Sequence, residues 1–219
     1  MMFLIKAVLF DLDGTLINTN NLIIESFKYT LKKHLNLKLM DKDIVKFFGE
    51  PLATTLARFD SENVESLLET YKAFNKESHD NLAVGFDDAV LALEALKAKG
   101  IKIAVVTSKR REMAEKGLKL FHLYNLIDVL ITPEDTLKHK PDGEPALKAC
   151  VELKVNPEEA LMVGDSHFDI MCGKNAGCKT CVVEYTALSL EEIMGYGPDY
   201  TINTLMDLLL VLEKAKDIA

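Results

Sequence analysis

The sequence predicts an α/β protein with a mostly parallel, doubly wound sheet and an all-helical insert near the N-terminus. Three observations predict this fold. Short apolar runs alternate with helical patterns from residue 83 to the C-terminus. A further apolar run, Val8–Phe10, precedes the insert. Residues 17–82 show helical patterns and no strand pattern. We therefore predict a core of residues 1–16 and 83–219, with residues 17–82 inserted.

Composition limits the classes of function. The chain has 219 residues, 48% of them hydrophobic, which is enough for a sizeable buried core. The net charge of −8 disfavours a nucleic-acid partner. The apolar runs are too short for a signal peptide or a membrane span, so no membrane partner is expected. Cys178 and Cys181 have zinc-like spacing but lack a second pair, so we expect reduced cysteines in a cytoplasmic protein.

The first predicted strand, Val8–Phe10, ends in two carboxylates, Asp11 and Asp13, and Gly14 allows a sharp turn after them. Open α/β sheets bind ligands at the carboxyl ends of their strands. Unpaired acids beside a buried strand are costly unless a cation or a substrate uses them. Two hydrated turn aspartates are the alternative interpretation.

The insert is predicted to contain four helices, which start near Leu22, Asp41, Pro51 and Ser61. The second helix is expected to end at Gly49. We expect its core to include Met40, Phe47, Phe48 and Phe74. After the insert, strands are predicted at residues 101–106, 127–131, 161–163 and 180–183, with helices between them.

Polar residues follow or adjoin these strands in four places: Asp11 with Asp13, Thr107 with Ser108, Lys140, and Asp165 with Asp169. Each group has an ordinary explanation when taken alone, as a helix cap, a surface lysine or turn acids. The carboxyl ends of parallel strands share one edge of the sheet, so the four groups can converge there. This common edge favours a functional site.

Together these residue types predict phosphoryl transfer. Asp11 can act as a carboxylate nucleophile that forms an aspartyl-phosphate. Mg²⁺ would lie between Asp11, the main-chain carbonyl of Asp13, and Asp165. Lys140 supplies positive charge, and the hydroxyls of Thr107 and Ser108 can hold phosphate oxygens. Asp13 is placed to protonate the leaving oxygen and then to deprotonate the attacking water.

The motif Asp11-Leu-Asp13-Gly-Thr, with Thr107, Lys140-Pro and Gly164-Asp165-Ser-His-Phe-Asp169, resembles the four motifs of the haloacid dehalogenase superfamily, in order. The resemblance covers the whole chain and implies a Rossmann-like core with a helical cap between the first two motifs. It assigns the roles just described and adds Asp169 as a metal ligand or the partner of one. Gly143 stands where proline is usual, which is expected to loosen the loop after Lys140.

The insert suggests a subgroup. Leu16–Asn20, Gly49-Glu-Pro51 and Phe74–Asp80 resemble the firmicute-type inorganic pyrophosphatases, beside phosphoglycolate phosphatases. We therefore expect a pyrophosphate substrate, with phosphoglycolate or another small phosphate monoester as the alternative. Its leaving group is expected to contact Asn18, Thr19 and Lys109. An exposed first turn of the next helix is the alternative interpretation of Lys109.

Several other functions share parts of this pattern. Dehalogenases lack the acid at Asp13, and phosphoglucomutases typically carry an acidic pair where Gly164 and Asp165 stand. The sequence spacing also allows a phosphonatase, which uses a lysine of the cap. A phospho-receiver module, from a different functional class, also combines acids, a hydroxyl and a lysine. Such modules lack an insert of this size, so an enzyme is favoured.

Overall fold

The computed structural model describes residues 4–217. Their Cα positions group into two compact units. The core unit comprises the described residues up to Ile17 and those from Gly85 onward, and the helical unit comprises Asn18–Val84.

The described part of the chain contains eight strands: β1 (Ala7–Phe10), β2 (Ile17–Asn18), β3 (Val84–Gly85), β4 (Lys102–Val106), β5 (Val129–Ile131), β6 (Ala160–Gly164), β7 (Lys179–Val183) and β8 (Tyr200–Ile202). It also contains ten α-helices: α1 (Asn20–Leu35), α2 (Asp41–Val45), α3 (Leu52–Ala57), α4 (Val64–Leu82), α5 (Ala89–Ala98), α6 (Arg111–Leu120), α7 (Glu144–Leu153), α8 (His167–Ala176), α9 (Leu190–Met194) and α10 (Leu208–Asp217).

Six strands of the core unit form one parallel sheet in the order β5-β4-β1-β6-β7-β8. β1 lies inside the sheet, where Phe10 is paired with Val105 of β4 and with Val163 of β6. This register aligns the carboxyl ends of the three strands, so the residues that follow them lie side by side. The predicted α/β fold with a mostly parallel sheet is confirmed.

Both faces of the sheet are buried, as expected when helices cover a parallel sheet on each side. Ala7 and Leu9 of β1 join a cluster with residues of α7 and α8, among them Ala146 and Cys172. The intervening β1 residues, including Phe10, are fully buried too. Continuous burial explains why these strands are apolar at every position instead of alternating.

The helical unit is held together by α1 and α4, which pack along each other. The rings of Phe27 and Tyr71 meet edge to face at 5.0 Å. Polar side chains are buried between the same helices. Asn75 Nδ2 donates to Ser26 Oγ at 3.1 Å, and Ser26 Oγ donates to the carbonyl of Leu22 at 2.6 Å. These hydrogen bonds satisfy the buried groups locally.

Some details of the insert differ from the prediction. Residues 17–82 were expected to hold no strand, but the first two of them, Ile17–Asn18, form a strand that pairs with Val84–Gly85, just after the predicted insert. The last helix begins at Val64 instead of Ser61, because the Asp60 carboxylate accepts the backbone N–H groups of residues 62 and 63 in a competing turn.

The second helix of the unit ends at Val45 and not at Gly49. The backbone N–H groups of Phe47 and Phe48 bond three residues back, which converts the rest into tight turns. Pro51 is the N-cap of α3 and not its first residue. Met40 was wrongly placed in the core, since it is 59% exposed, whereas Phe48 is buried as expected. Phe47 and Phe74 are only partly buried.

Three further features concern the rest of the chain. Strand β8 was not predicted, because its three residues carry only a short apolar signal. No helix within residues 4–217 is both long and apolar enough to cross a membrane. All four cysteines are free and buried, as expected for reduced thiols.

Candidate active site

The site is built on the ends of neighbouring strands. Asp11 follows β1 and its backbone N–H donates to the carbonyl of Val163 at 2.9 Å. Thr107 follows β4 and its N–H donates to the carbonyl of Ile131 at 3.0 Å. Asp165 directly follows β6. The bonds of Asp11 and Thr107 continue the sheet ladder by one residue, and all three side chains start on the same edge of the sheet.

A buried carboxylate cluster, defined here as Asp11, Asp165, Asp169 and Lys140, occupies this edge. The Lys140 Nζ lies 2.5 Å from Asp11 Oδ1 and 2.6 Å from Asp169 Oδ1. One oxygen from each of the three aspartates lies within 4.8 Å of the other two. All four residues are at most 6% exposed. Three carboxylates this close and this buried share a single lysine.

The pKa values reflect this shortage of positive charge. Burial raises the pKa of Asp11 to about 7, and the nearby Asp169 adds to the effect while Lys140 opposes it. Burial likewise raises the pKa of Asp165 well above its ordinary value, reinforced by the charges of Asp169 and Asp11. Burial alone would lower the pKa of Lys140, but Asp11 and Asp169 raise it, so this lysine stays charged. An added cation would favour the ionised carboxylates.

Asp169 has a structural task as well. It is the third residue of α8, where its Oδ2 accepts hydrogen bonds from Ser166 N at 3.1 Å and Ser166 Oγ at 2.6 Å. This capping box holds the carboxylate while its other oxygen meets Lys140. Asp169 thus couples the start of α8 to the lysine. Ser166 was not singled out from the sequence, although its spacing to Asp169 is the signal of a capping box.

Two glycines let the backbone approach the site closely. Gly14 has φ +84°, and a Cβ there would lie 2.3 Å from Asp165 Oδ2. At Gly143 a Cβ would lie 2.6 Å from the backbone of Asn175, at the end of α8. The expectation that Gly143 loosens the loop is therefore wrong. The missing side chain lets this loop pack against α8, and Asn175 Nδ2 donates to the carbonyl of Pro141 at 2.8 Å.

Asp13 and Lys109 form a second ion pair at the same edge. The Lys109 Nζ lies 2.7 Å from Asp13 Oδ1, and the two side chains are 11% and 22% exposed. The Thr107 hydroxyl accepts the backbone N–H of Lys109 at 3.0 Å, which fixes the turn between them. α6 begins only at Arg111. The alternative interpretation of Lys109, an exposed first helical turn, is therefore wrong.

The remaining predicted contacts are less central. Ser108 is exposed. In the helical unit, Asn18 Oδ1 accepts the backbone N–H of Asn20 at 3.1 Å, and Thr19 is buried at the N-cap of α1. Phosphate or leaving-group binding by these three residues stays a prediction.

Two side chains that follow β7 donate hydrogen bonds to the backbone of motif residues, and the sequence carried no signal for these bonds. The Thr186 hydroxyl donates to the carbonyl of Asp165 at 2.7 Å. The Tyr185 hydroxyl donates to the carbonyl of Thr15 at 2.8 Å. Both bonds join residues far apart in the sequence, so only the folded chain reveals them.

Comparisons with known proteins agree with this arrangement. The family profile described as haloacid dehalogenase-like hydrolase matches residues 8–183. A Clostridium perfringens relative with the provisional name pyrophosphatase PpaX is 52% identical over 211 residues, which are 96% of this chain and 99% of the relative. A Bacillus mycoides relative named pyrophosphatase PpaX is 42% identical over 210 residues, which are 96% of this chain and 98% of the relative.

Solved structures show the same architecture. A crystal structure described as a predicted phosphatase from Clostridium acetobutylicum superposes with a TM-score of 0.84 at 25% identity. The match covers 99% of this chain and 100% of that one. The matched profile spans most of the chain, including all four polar groups at the sheet edge. The chain therefore belongs to the haloacid dehalogenase-like hydrolase family.

Proposed function

We propose that this hydrolase is a Mg²⁺-dependent, cytoplasmic phosphohydrolase that forms an aspartyl-phosphate and hydrolyses inorganic pyrophosphate. The observation that carries the proposal is the carboxylate cluster at the end of β1, where Asp11 is held by Lys140. Buried ion pairs that only stabilise a fold rarely leave a carboxylate without a compensating positive charge, because a buried unpaired charge costs several kcal/mol. Perturbed carboxylates in such a setting indicate function.

The donor set fits a divalent cation. Fully ionised, Asp11, Asp13, Asp165 and Asp169 would carry four negative charges against two positive ones on Lys109 and Lys140. The excess of two negative charges is what one divalent cation neutralises, and carboxylate oxygens are the ligands that Mg²⁺ prefers. Asp11, Asp165 and the Asp13 main-chain carbonyl would hold it, with Asp169 as a ligand or as the support of Lys140. When bound, the ion supplies positive charge to the phosphoryl oxygens.

The first chemical step belongs to Asp11 and Asp13. A carboxylate oxygen of Asp11 attacks phosphorus, the bond from phosphorus to the leaving oxygen breaks, and Asp13 delivers a proton to that oxygen. Lys140 keeps the Asp11 side chain in place through the 2.5 Å contact and offsets negative charge during transfer. We expect Thr107, which follows β4, to hold a phosphoryl oxygen.

The second step releases phosphate. Asp13 takes a proton from a water molecule, whose oxygen attacks phosphorus, and the bond between phosphorus and Asp11 breaks. Asp11 is then a free carboxylate again and Asp13 is protonated for the next turnover. Phosphoglucomutase chemistry needs a second acceptor instead of water. A receiver module does not turn over, so membership of a hydrolase family argues against it.

The preferred substrate is inferred from the relatives and from the insert. Relatives at 42–52% identity carry the name pyrophosphatase, and residues 16–80 contain the three stretches that resemble this subgroup. Pyrophosphate presents a second charged phosphate, which needs hydrogen-bond donors of its own. We propose Lys109 of the core unit for this role. Leaving-group contacts from Asn18 and Thr19, and a cap function of the helical unit, stay predictions.

A substrate panel tests the proposal. We expect kcat/KM for pyrophosphate to exceed that for phosphoglycolate and glucose 6-phosphate, with phosphate release dependent on Mg²⁺ and abolished by a chelator. The Asp11→Asn variant, purified identically, measures contaminating phosphatases. A higher kcat/KM for phosphoglycolate or the sugar phosphate would contradict the substrate assignment and leave the phosphohydrolase standing. Full activity with chelator present would contradict the metal assignment.

A further inference from the structure

The two lysines at the sheet edge have different surroundings. Lys140 lies between Asp11 and Asp169, and its side chain is 5% exposed. Lys109 instead contacts Asp13, in the more open part of the site, where the carboxylate is 22% exposed. Lys140 is therefore committed to the nucleophile and to α8, whereas Lys109 accompanies the proposed proton donor.

The local fold directs Lys109, and not its neighbours, toward the site. The Thr107 hydroxyl holds the Lys109 backbone N–H in a tight turn directly after β4. The next cation, Arg110, is 66% exposed and pairs with Glu134 at 3.2 Å. Arg111 pairs with Asp135 at 2.5 Å and donates to the carbonyl of Leu130. Of these three consecutive cations, Lys109 is the one placed on the acids of the site.

We propose that Lys109 determines substrate class by binding the leaving group, and that it selects phosphates whose leaving group carries its own negative charge. The inference rests on the proposed function, in which Asp13 protonates the leaving oxygen. A proton donor contacts that oxygen at about 3 Å, so an ammonium group on the same carboxylate lies within about 6 to 8 Å of it, depending on which carboxylate oxygen carries the proton. The second phosphate of pyrophosphate, or a leaving-group carboxylate, carries its charge within this radius.

The chemistry of the ammonium group allows this double use. Lysine has three N–H donors, so the bond to Asp13 leaves donors for an anion. A charged hydrogen bond at a partly buried site discriminates strongly between an anion and a neutral group of equal size. A neutral alcohol leaving group gains nothing from Lys109, and the core unit thereby contributes to specificity alongside the predicted cap.

A matched pair of esters isolates the leaving-group charge. 2-Phosphoglycolate and 2-hydroxyethyl phosphate both have two-carbon leaving groups. The leaving group carries a charged carboxylate in the first ester and a neutral hydroxymethyl group in the second. We expect K109M to lower kcat/KM for pyrophosphate and phosphoglycolate, mainly through KM, by a factor about 10 to 100 times larger than for 2-hydroxyethyl phosphate. K109R should restore most of the loss. R110M removes the same charge from the neighbouring residue and should change none of the three values more than about 2-fold.

Two kinetic outcomes would overturn the proposal. An equal loss on both esters in K109M would mean that Lys109 only positions Asp13, and an equal loss in R110M would mean a general effect of charge. Melting temperatures show that the variants fold. If wild-type protein hydrolyses neither ester nor pyrophosphate, the proposed function fails. Calorimetry then measures the binding of phosphoglycolate and 2-hydroxyethyl phosphate to the wild type and to K109M. Equal affinities of the wild type for the two esters would contradict the Lys109 proposal.

Discussion

Two of the groups of polar side chains buried within residues 4–217 are satisfied in opposite ways. In the helical unit, Ser26, Thr30 and Asn75 are neutral, and the two hydroxyls donate to backbone carbonyls four residues earlier in the same helix. In the core unit, the carboxylate cluster is ionisable, and its hydrogen bonds join residues up to 129 positions apart.

The contrast separates structural polarity from functional polarity. The hydroxyls and amide of the helical unit complete their hydrogen bonds with nearby groups, so they need nothing from outside. Burial raises the pKa of Asp11 and Asp165, and the carboxylate cluster holds too little positive charge to offset this effect. Buried polar groups that remain uncompensated mark a place where a ligand acts. Variants in the two regions should therefore affect different measurements.

The largest effect is expected for Asp11→Asn. The amide keeps the shape but cannot attack phosphorus, so kcat/KM should fall by at least about 10³-fold while the protein stays folded. Steady-state phosphate release and the melting temperature are the measurements. Asp128→Asn is the matched control, because Asp128 is ion-paired with Lys97 and precedes the amino end of β5. Retention of a tenth of the activity would exclude Asp11 as the nucleophile.

A smaller loss is expected for Asp13→Asn, which removes the proton donor but not the main-chain carbonyl. kcat/KM for an alkyl phosphate, which reports the steps up to formation of the aspartyl-phosphate, should fall by about 10²–10⁴-fold. The loss should be much smaller for 4-nitrophenyl phosphate, whose leaving group departs without a proton. Equal losses on both esters would count against Asp13 as the general acid.

Mg²⁺ should stabilise the folded protein, because it neutralises the carboxylate cluster in the native state alone. At a concentration of about 100 times Kd the expected gain in unfolding free energy is about 2.7 kcal/mol, seen as a higher melting temperature. Asp165→Asn should lose most of this gain, and Ser26→Ala should keep it in full. The same gain in Asp165→Asn as in the wild type would place the cation elsewhere.

The smallest effect is expected for Ser26→Ala in the helical unit. It removes the acceptor of Asn75 Nδ2, so the unfolding free energy should fall by about 1 kcal/mol. kcat/KM, measured by phosphate release, should stay within about 3-fold of wild type. Denaturant unfolding measures the change in unfolding free energy. Ser61→Ala, at an exposed position outside α4, is the control and should be neutral. A large loss of activity in Ser26→Ala would break the distinction between the two regions.

Much of the core could be predicted because its signals are local. The strands are continuous apolar runs, and parallel topology puts their carboxyl ends on one edge, which made Asp11, Thr107 and Asp165 candidates for one site. The helical unit was harder, because its buried residues include Ser26, Thr30 and Asn75 while Met40 is exposed. Side chains that bury polarity through local hydrogen bonds do not follow an apolar stripe.

The sequence by itself determined the fold class and the set of chemical groups available at the sheet edge. Strand patterns, helix signals and motif order are properties of neighbouring residues, and they survive without knowledge of the folded chain. Only the tertiary structure decided that Lys140 bridges Asp11 and Asp169, that Lys109 meets Asp13, and that Gly143 packs on α8. Each of these contacts joins residues that are at least 29 positions apart, and their distances depend on how the loops after the strands pack.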